Sequence, residues 1–262
     1  MQRVLGCVLA LSLAQCNEKP KTELAPAASA LSKPRPASAG ALVFVVDTKS
    51  SVASFTMDAE LEKIRGHANA AVLGELSVDL SDIAKSSGLI RLDLDRLAIY
   101  QRKRDDASGQ FGEETKNDKQ NADMRTWFEI SEDTPADVRQ GNRWAEFKLT
   151  ELSAPAPRDI RPGATPEHKL TALVKGDFRV HGRVKPRSAQ VEIRVLYAGD
   201  TARELSVKTR EPLPVPLEEH DVRPRSAFGK LADKTLDALG AKVSKVALVS
   251  LEFTARPKDG TP

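Results

Sequence analysis

Residues 174–195 read VKGDFRVHGRVKPRSAQVEIRV. Two runs of alternating apolar and polar side chains flank His181-Gly182 and a short basic bend. Val174, Phe178 and Val180 share one side of the first run, and Val191, Ile193 and Val195 share one side of the second. A period of two belongs to an extended strand with one dry and one wet face, so the stretch predicts an antiparallel hairpin. His181 has no acid, base or metal-ligand partner at a useful spacing, which argues against catalysis. Gly182 is expected to supply a turn with positive φ, and His181 to end the strand.

The same alternation extends outward along the chain. LVFVVD (42–47) and SSVASFTM (50–57) open it. GLIRLDLDRL (88–97) sets Ile90, Leu92 and Leu94 against Arg91, Asp93 and Asp95. RWAEFKLTEL (143–152) sets Ala145, Phe147 and Leu149 against Glu146, Lys148 and Thr150, and HKLTALVKGDFRV (168–180), AQVEIRVLY (189–197) and VALVSLEFTA (246–255) follow. One apolar face per strand indicates antiparallel sheet rather than buried parallel units. Two helices are expected. NDKQNADMRTWF (117–128) carries Met124, Trp127 and Phe128 on one face, and residues 226–242 have Ser226 as N-cap and Gly240 as stop. Many strands and few helices predict an all-β sandwich or closed barrel. A barrel of about eight strands has room for one small apolar ligand. The Pro-rich segments 154–167 and 210–225 read as long loops on a single domain.

The 262 residues are 40% hydrophobic and 29% charged, with 40 basic against 37 acidic side chains. This near-neutral balance, with only 5% aromatics, argues against nucleic acid as a partner. Both cysteines, Cys7 and Cys16, precede the strands, so neither a disulfide nor a CxxC zinc site is available to the folded part. MQRVLGCVLALSLAQC (1–16) has the charged start and short apolar run of a signal peptide. Its ending resembles a bacterial lipobox, which makes Cys16 the expected lipidation site. Gln15 departs from the small residue usual there, and an exported leader with an incidental cysteine is the alternative. Residues 17–42, rich in Pro, Ala, Ser and Lys, lack apolar periodicity and are expected to form a disordered linker. The barrel is then expected over 43–256, followed by a short disordered tail, 257–262.

The sequence lacks a GxSxG elbow, an HExxH helix, a GxGxxG fingerprint and a P-loop. EEHD (218–221) offers carboxylates and His220 to a cation, but in a Pro-rich loop it reads as a solvated turn. QRKRDD (101–106) reads as a solvated strand end. Trp127 and Phe128 suit either the end of a ligand cavity or ordinary core packing.

The order of these pieces resembles the YceI-like family. The resemblance rests on DTKSSVASFTM (47–57), RGHANAAVLGELSVDL (65–80) and GLIRLDLDRL (88–97), then NADMRTWFEI (121–130), WAEFKLTEL (144–152) and the 174–195 hairpin. FGKLADKTLDALGAKVSKVALVSLEFTA closes the match, which spans roughly 43–256. Departures lie at 101–118, 154–167 and 210–225. The resemblance implies a lipocalin-like antiparallel β-barrel with one or two short helices, exported to the periplasm or cell envelope. It also implies an apolar interior that binds a polyisoprenoid or isoprenoid quinone, with no catalytic residues, metal or cofactor. The expected cavity residues are Phe55, Leu92, Leu94, Trp127, Phe128, Phe147, Phe178 and Val180. Expected partners are an apolar lipid and, through the lipid anchor, a membrane, with a homodimer left open. The competing reading is a filled barrel whose Pro-rich loops bind a protein.

Overall fold

The computed structural model describes residues 30–32, 34, 38–224, 239 and 242–258. The leader with Cys16, most of the linker, nearly all of the expected 226–242 helix and residues 259–262 lie outside that set. The strands are β1 (Leu42–Val46), β2 (Val52–Asp58), β3 (Glu62–Asn69), β4 (Val72–Val78), β5 (Ser87–Asp93), β6 (Ala98–Lys103) and β7 (Thr115–Lys116). Helices α1 (Asp118–Trp127) and α2 (Ala136–Asn142) follow. Then come β8 (Trp144–Ser153), β9 (Glu167–Val180), β10 (Arg183–Ala198), β11 (Thr201–Thr209), β12 (Leu213–Pro216) and β13 (Val246–Pro257).

All pairings are antiparallel. The ring β1-β4-β5-β8-β9-β10-β11-β13 closes where Phe44, Val45 and Val46 pair with Pro257, Arg256 and Ala255. Closure removes the free edges that an open sheet would expose. β13 is long enough to serve two sheets. Its C-terminal part completes the ring, and its N-terminal part pairs with β2 on one side and β12 on the other. From β2 the sheet continues to β3, β6 and β7.

This division arises because three neighbouring strands bend at one level. A 3-10 turn at Thr48–Ser50 separates β1 from β2, Ala70 in a left-handed conformation (φ 51°) separates β3 from β4, and a turn at Leu94–Arg96 separates β5 from β6. The two turns are each started by an aspartate. Asp47 accepts the amide of Lys49 and Asp93 that of Asp95, which competes with continued strand geometry. The bends are hydrogen-bonded to one another. Ala70 N–H donates to Ser51 O (2.9 Å), Val72 N–H to Ser51 Oγ (3.1 Å), and Asp93 N–H to Ala71 O (3.0 Å). The continuous strand expected over 88–97 is corrected here: it ends at Asp93, and Leu94 lies in the turn.

Other expectations need adjustment too. QRKRDD (101–106) does end β6 and is exposed from Lys103 onward, but the stretch behind it is not plain loop, since Arg104 bridges Phe111 and β7 pairs with β6. Segment 210–225 contains β12, an edge strand that tolerates Pro214 and Pro216 because only one of its edges is paired to β13. Helix α2 follows Pro135 and was not expected from the sequence. Leu31 and Ser32, inside the expected linker, lie on the barrel flank: Leu31 N–H donates to Glu146 Oε2 (2.8 Å), and Lys148 Nζ to Ser32 Oγ (3.1 Å).

The outward face of β8 is not uniformly wet. Glu146 is 1% exposed and pairs with Arg179 (3.1 Å; 2% exposed) and Arg91 (2.8 Å). Arg179 also donates to Gly141 O at the end of α2 (2.8 Å). Removing Arg179 leaves the buried Glu146 carboxylate to the partly exposed Arg91, and burying an incompletely paired charge is costly. Arg179→Met is therefore expected to cost about 3–5 kcal/mol in urea unfolding, with much of it recovered in the double variant Glu146→Leu/Arg179→Met. A loss under about 1 kcal/mol would show the pair to be dispensable.

Candidate ligand cavity

The inward positions of the strands enclose two adjoining cavities. The larger, about 360 Å³, lies in the splayed half, between β2, β3, α1 and the 215–222 segment. The smaller, about 170 Å³, lies inside the closed ring, against Val78, Ile83, Ile193, Leu205 and Phe253. Ile90, Phe147, Phe178, Val249 and Leu251 belong to both walls. All eight residues singled out in the sequence, Phe55, Leu92, Leu94, Trp127, Phe128, Phe147, Phe178 and Val180, come together on the wall of the larger cavity. Trp127 and Phe128 pack against the core and line the cavity as well.

Two glycines set the width. A Cβ at Gly66 would lie 2.0 Å from the ring of Phe55, its cross-strand partner, and one at Gly176 would lie 2.5 Å from the ring of Phe147. Each phenyl ring thus rests flat on a strand where any side chain would push it away. A Cβ at Gly176 would also meet Lys148 O at 2.4 Å, a backbone atom that cannot swing aside.

Helix α1 covers the splayed half. Gln120, Asp123, Met124, Trp127 and Phe128 line the cavity, the i, i+3, i+4, i+7, i+8 spacing of a single helix stripe. Asn117 caps its start by accepting the amide of Gln120 (3.1 Å). Asn121 then binds β6 like a short piece of strand: its Oδ1 accepts Ile99 N–H and its Nδ2 donates to Ile99 O, both at 2.9 Å. Arg125 reaches Asp95 (3.2 Å), and Arg143 grips Asp93 with two bonds of 2.9 and 2.6 Å. Burial alone would raise the Asp93 carboxyl, but the Arg143 guanidinium and the Asp95 amide hold it below the usual carboxylate range.

The C-terminal end of α1 corrects the reading of the hairpin. Glu129 adopts φ 52° just past the helix, with its N–H on Thr126 O and that of Ile130 on Arg125 O, a Schellman closure. The Glu129 carboxyl meets His181 Nε2 at 2.6 Å, both side chains being buried. His181 therefore does have an acid partner, 52 residues away in sequence. Gly182 has the expected positive φ (70°), and His181 shares it (47°). Neither residue lines a cavity wall, so the pair clamps the hairpin tip to the helix end.

His220 is the second correction. The EEHD segment is not simply a solvated turn: Glu218–His220 forms a 3-10 turn in which His220 is fully buried and lines the larger cavity. Its ring stands edge-on to Phe178 (5.4 Å between centroids, 82°). Nδ1 donates to Arg183 O (3.1 Å) and Nε2 accepts from Arg187 Nη2 (3.4 Å), while Arg187 also binds Glu219 (2.6 Å). Burial, aided by the Arg187 cation, holds this imidazole below the usual histidine value. Sequence reasoning missed this residue because its contacts come from β9 and β10. It also missed Glu62, which lines the larger cavity at 9% exposure and accepts from Gln120 Nε2 (3.0 Å). The polar side chains on the wall of the larger cavity are Ser54, Glu62, Gln120, Asp123, His220 and Lys242; the smaller cavity touches only Ser86, Ser87 and Thr209 among polar side chains. Among the described residues no cluster of three or more His, Cys, Asp or Glu is arranged for a metal ion.

Two outcomes follow from this wall. Gly176→Ala is expected to destabilise the barrel by about 1–3 kcal/mol through overpacking, read from denaturant midpoints. His220 favours the native state fully above the ordinary histidine pKa of about 6.5 and progressively less on acidification below it, since the unfolded chain takes up that proton more readily. His220→Asn should flatten the fall in stability between about pH 7 and pH 5; parallel curves for the two proteins would refute the assignment.

No protein-family model matches the sequence, and no curated protein matches it. Solved structures do. A polyisoprenoid binding domain from Saccharophagus degradans, implicated in plant cell wall breakdown, superposes with a TM-score of 0.50 at 13% identity, covering 83% of this chain and 99% of the other. The structure of Burkholderia cenocepacia BcnA gives a TM-score of 0.47 at 12% identity, covering 80% of this chain and 98% of the other. The chain thus has the fold of the Saccharophagus degradans domain, a lipocalin-like antiparallel barrel in which eight strands close, accompanied among the described residues by two short helices.

Proposed function

We propose that this protein binds an apolar lipid in its barrel, a polyisoprenoid or isoprenoid quinone, as a carrier rather than an enzyme. The observation that carries the reading is the pair of adjoining apolar cavities, with charged side chains lining only the larger one. A chain entering there gains about 0.8 kcal/mol per methylene moved out of water, so it needs no charged handle. The Saccharophagus degradans domain that shares the fold is described as polyisoprenoid binding. The cavities weigh against a filled barrel acting only through its loops. We further propose that the barrel works in the bacterial envelope, tethered by lipid at Cys16, on the strength of the leader and the Pro-rich stretch behind it.

The test is extraction of the purified protein with organic solvent, followed by mass spectrometry. A long-chain isoprenoid is expected, with its recovery lowered in a folded Ala53→Phe variant, which places a ring in the larger cavity. Lipid-free extracts, together with no uptake of an added prenol, would refute lipid binding.

A further inference from the structure

The two cavities differ in kind. The larger sits in the splayed half of the barrel and carries the charged lining, Glu62, Asp123 and Lys242. The smaller sits within the closed ring, with almost wholly apolar walls. Between them stands a collar of Ile90, Phe147, Phe178, Val249 and Leu251, the side chains common to both.

The two rings of the collar are held from behind. Phe147 rests on Gly176 and cannot retreat past the backbone of β9. Phe178 abuts His220, whose two nitrogens are engaged by Arg183 O and Arg187. Beyond the collar, Val78, Ile83 and Phe253 bound the smaller cavity, each at most 3% exposed. The shared side chains thus stand between the two cavities, and buried side chains bound the inner one on its far side.

Resting on the lipid-binding reading above, we propose that the inner chamber selects ligands by chain length. The head stays beside Glu62 and Gln120 in the larger cavity, and the tail passes the Phe147–Phe178 collar to end against the chamber floor. A tail that stops short of the collar leaves inner wall uncovered. One that exceeds the chamber forces its excess back into the larger cavity or into water. Each methylene added within the chamber should raise affinity about fourfold, and each one beyond it should add nothing. Ala189 lines the inner chamber alone, which makes it a handle on this property.

The experiment titrates the full chain with a homologous series of linear prenols. Affinity is expected to climb with length and then level off. Ala189→Phe should move the levelling point to a shorter prenol while leaving the affinity of the shortest members unchanged. A second measurement needs no variant: a prenol carrying a photoreactive diazirine at its tail end should label inner-chamber residues such as Ala189 and Val207 in the wild-type protein. Labelling confined to the larger cavity, or an unmoved levelling point in a folded Ala189→Phe protein, would overturn the length selection and leave lipid binding intact. Failure of every prenol to bind would instead overturn the lipid-binding reading.

Discussion

The architecture depends on a line of hydrogen bonds across three bent strands. Buried Ser51 takes the amide of Ala70 on its carbonyl and that of Val72 on its hydroxyl, and Ala71 in turn takes the amide of Asp93. Because these bonds fix the bends at one level, one half of the sheet closes into a ring and the other half turns away from it. A straight-stranded barrel of this size would have a single core. Here the bend produces a tight ring at one end and a wider space at the other, and the ligand cavity inherits both.

The wider half must be covered without filling it. Helix α1 does this by touching the barrel at its ends and presenting one apolar stripe inward. Asn121 attaches it to the exposed edge of β6, and the Glu129–His181 pair attaches its far end to the β9–β10 tip. Polar satisfaction is thereby kept mostly at the periphery. The most deeply buried charges, Glu146 and Arg179, lie outside the barrel wall under α2 rather than in the lumen. That separation keeps the interior suitable for a guest that brings no hydrogen bonds of its own.

Much of this was legible in the sequence because a strand writes its inward face at every second position. Phe147 and Phe178 could be assigned to the lumen from local alternation, and the stripe of α1 from helical spacing. What stayed hidden were features whose causes are distant in sequence. His181 showed no partner because Glu129 lies on another element, and His220 looked solvated because its burial comes from β9 and β10. The inward face of β3 was masked for another reason: Glu62, Gly66 and Ala68 are polar or small, so the alternation carries little hydrophobic contrast. Gly66 is small because Phe55 needs the space, a requirement visible only once the two strands are paired.

The glycine-backed rings also have a mechanical consequence. By lying flat against the wall, Phe55 and Phe147 leave volume that no protein atom occupies, and unfolding abolishes that volume. Native proteins with internal voids yield to hydrostatic pressure roughly in proportion to the space they lose. The empty barrel is accordingly expected to unfold at lower pressure than a filled one. A chain lying in the lumen acts as an internal strut, so the volume change of pressure unfolding measures occupancy from the protein side alone.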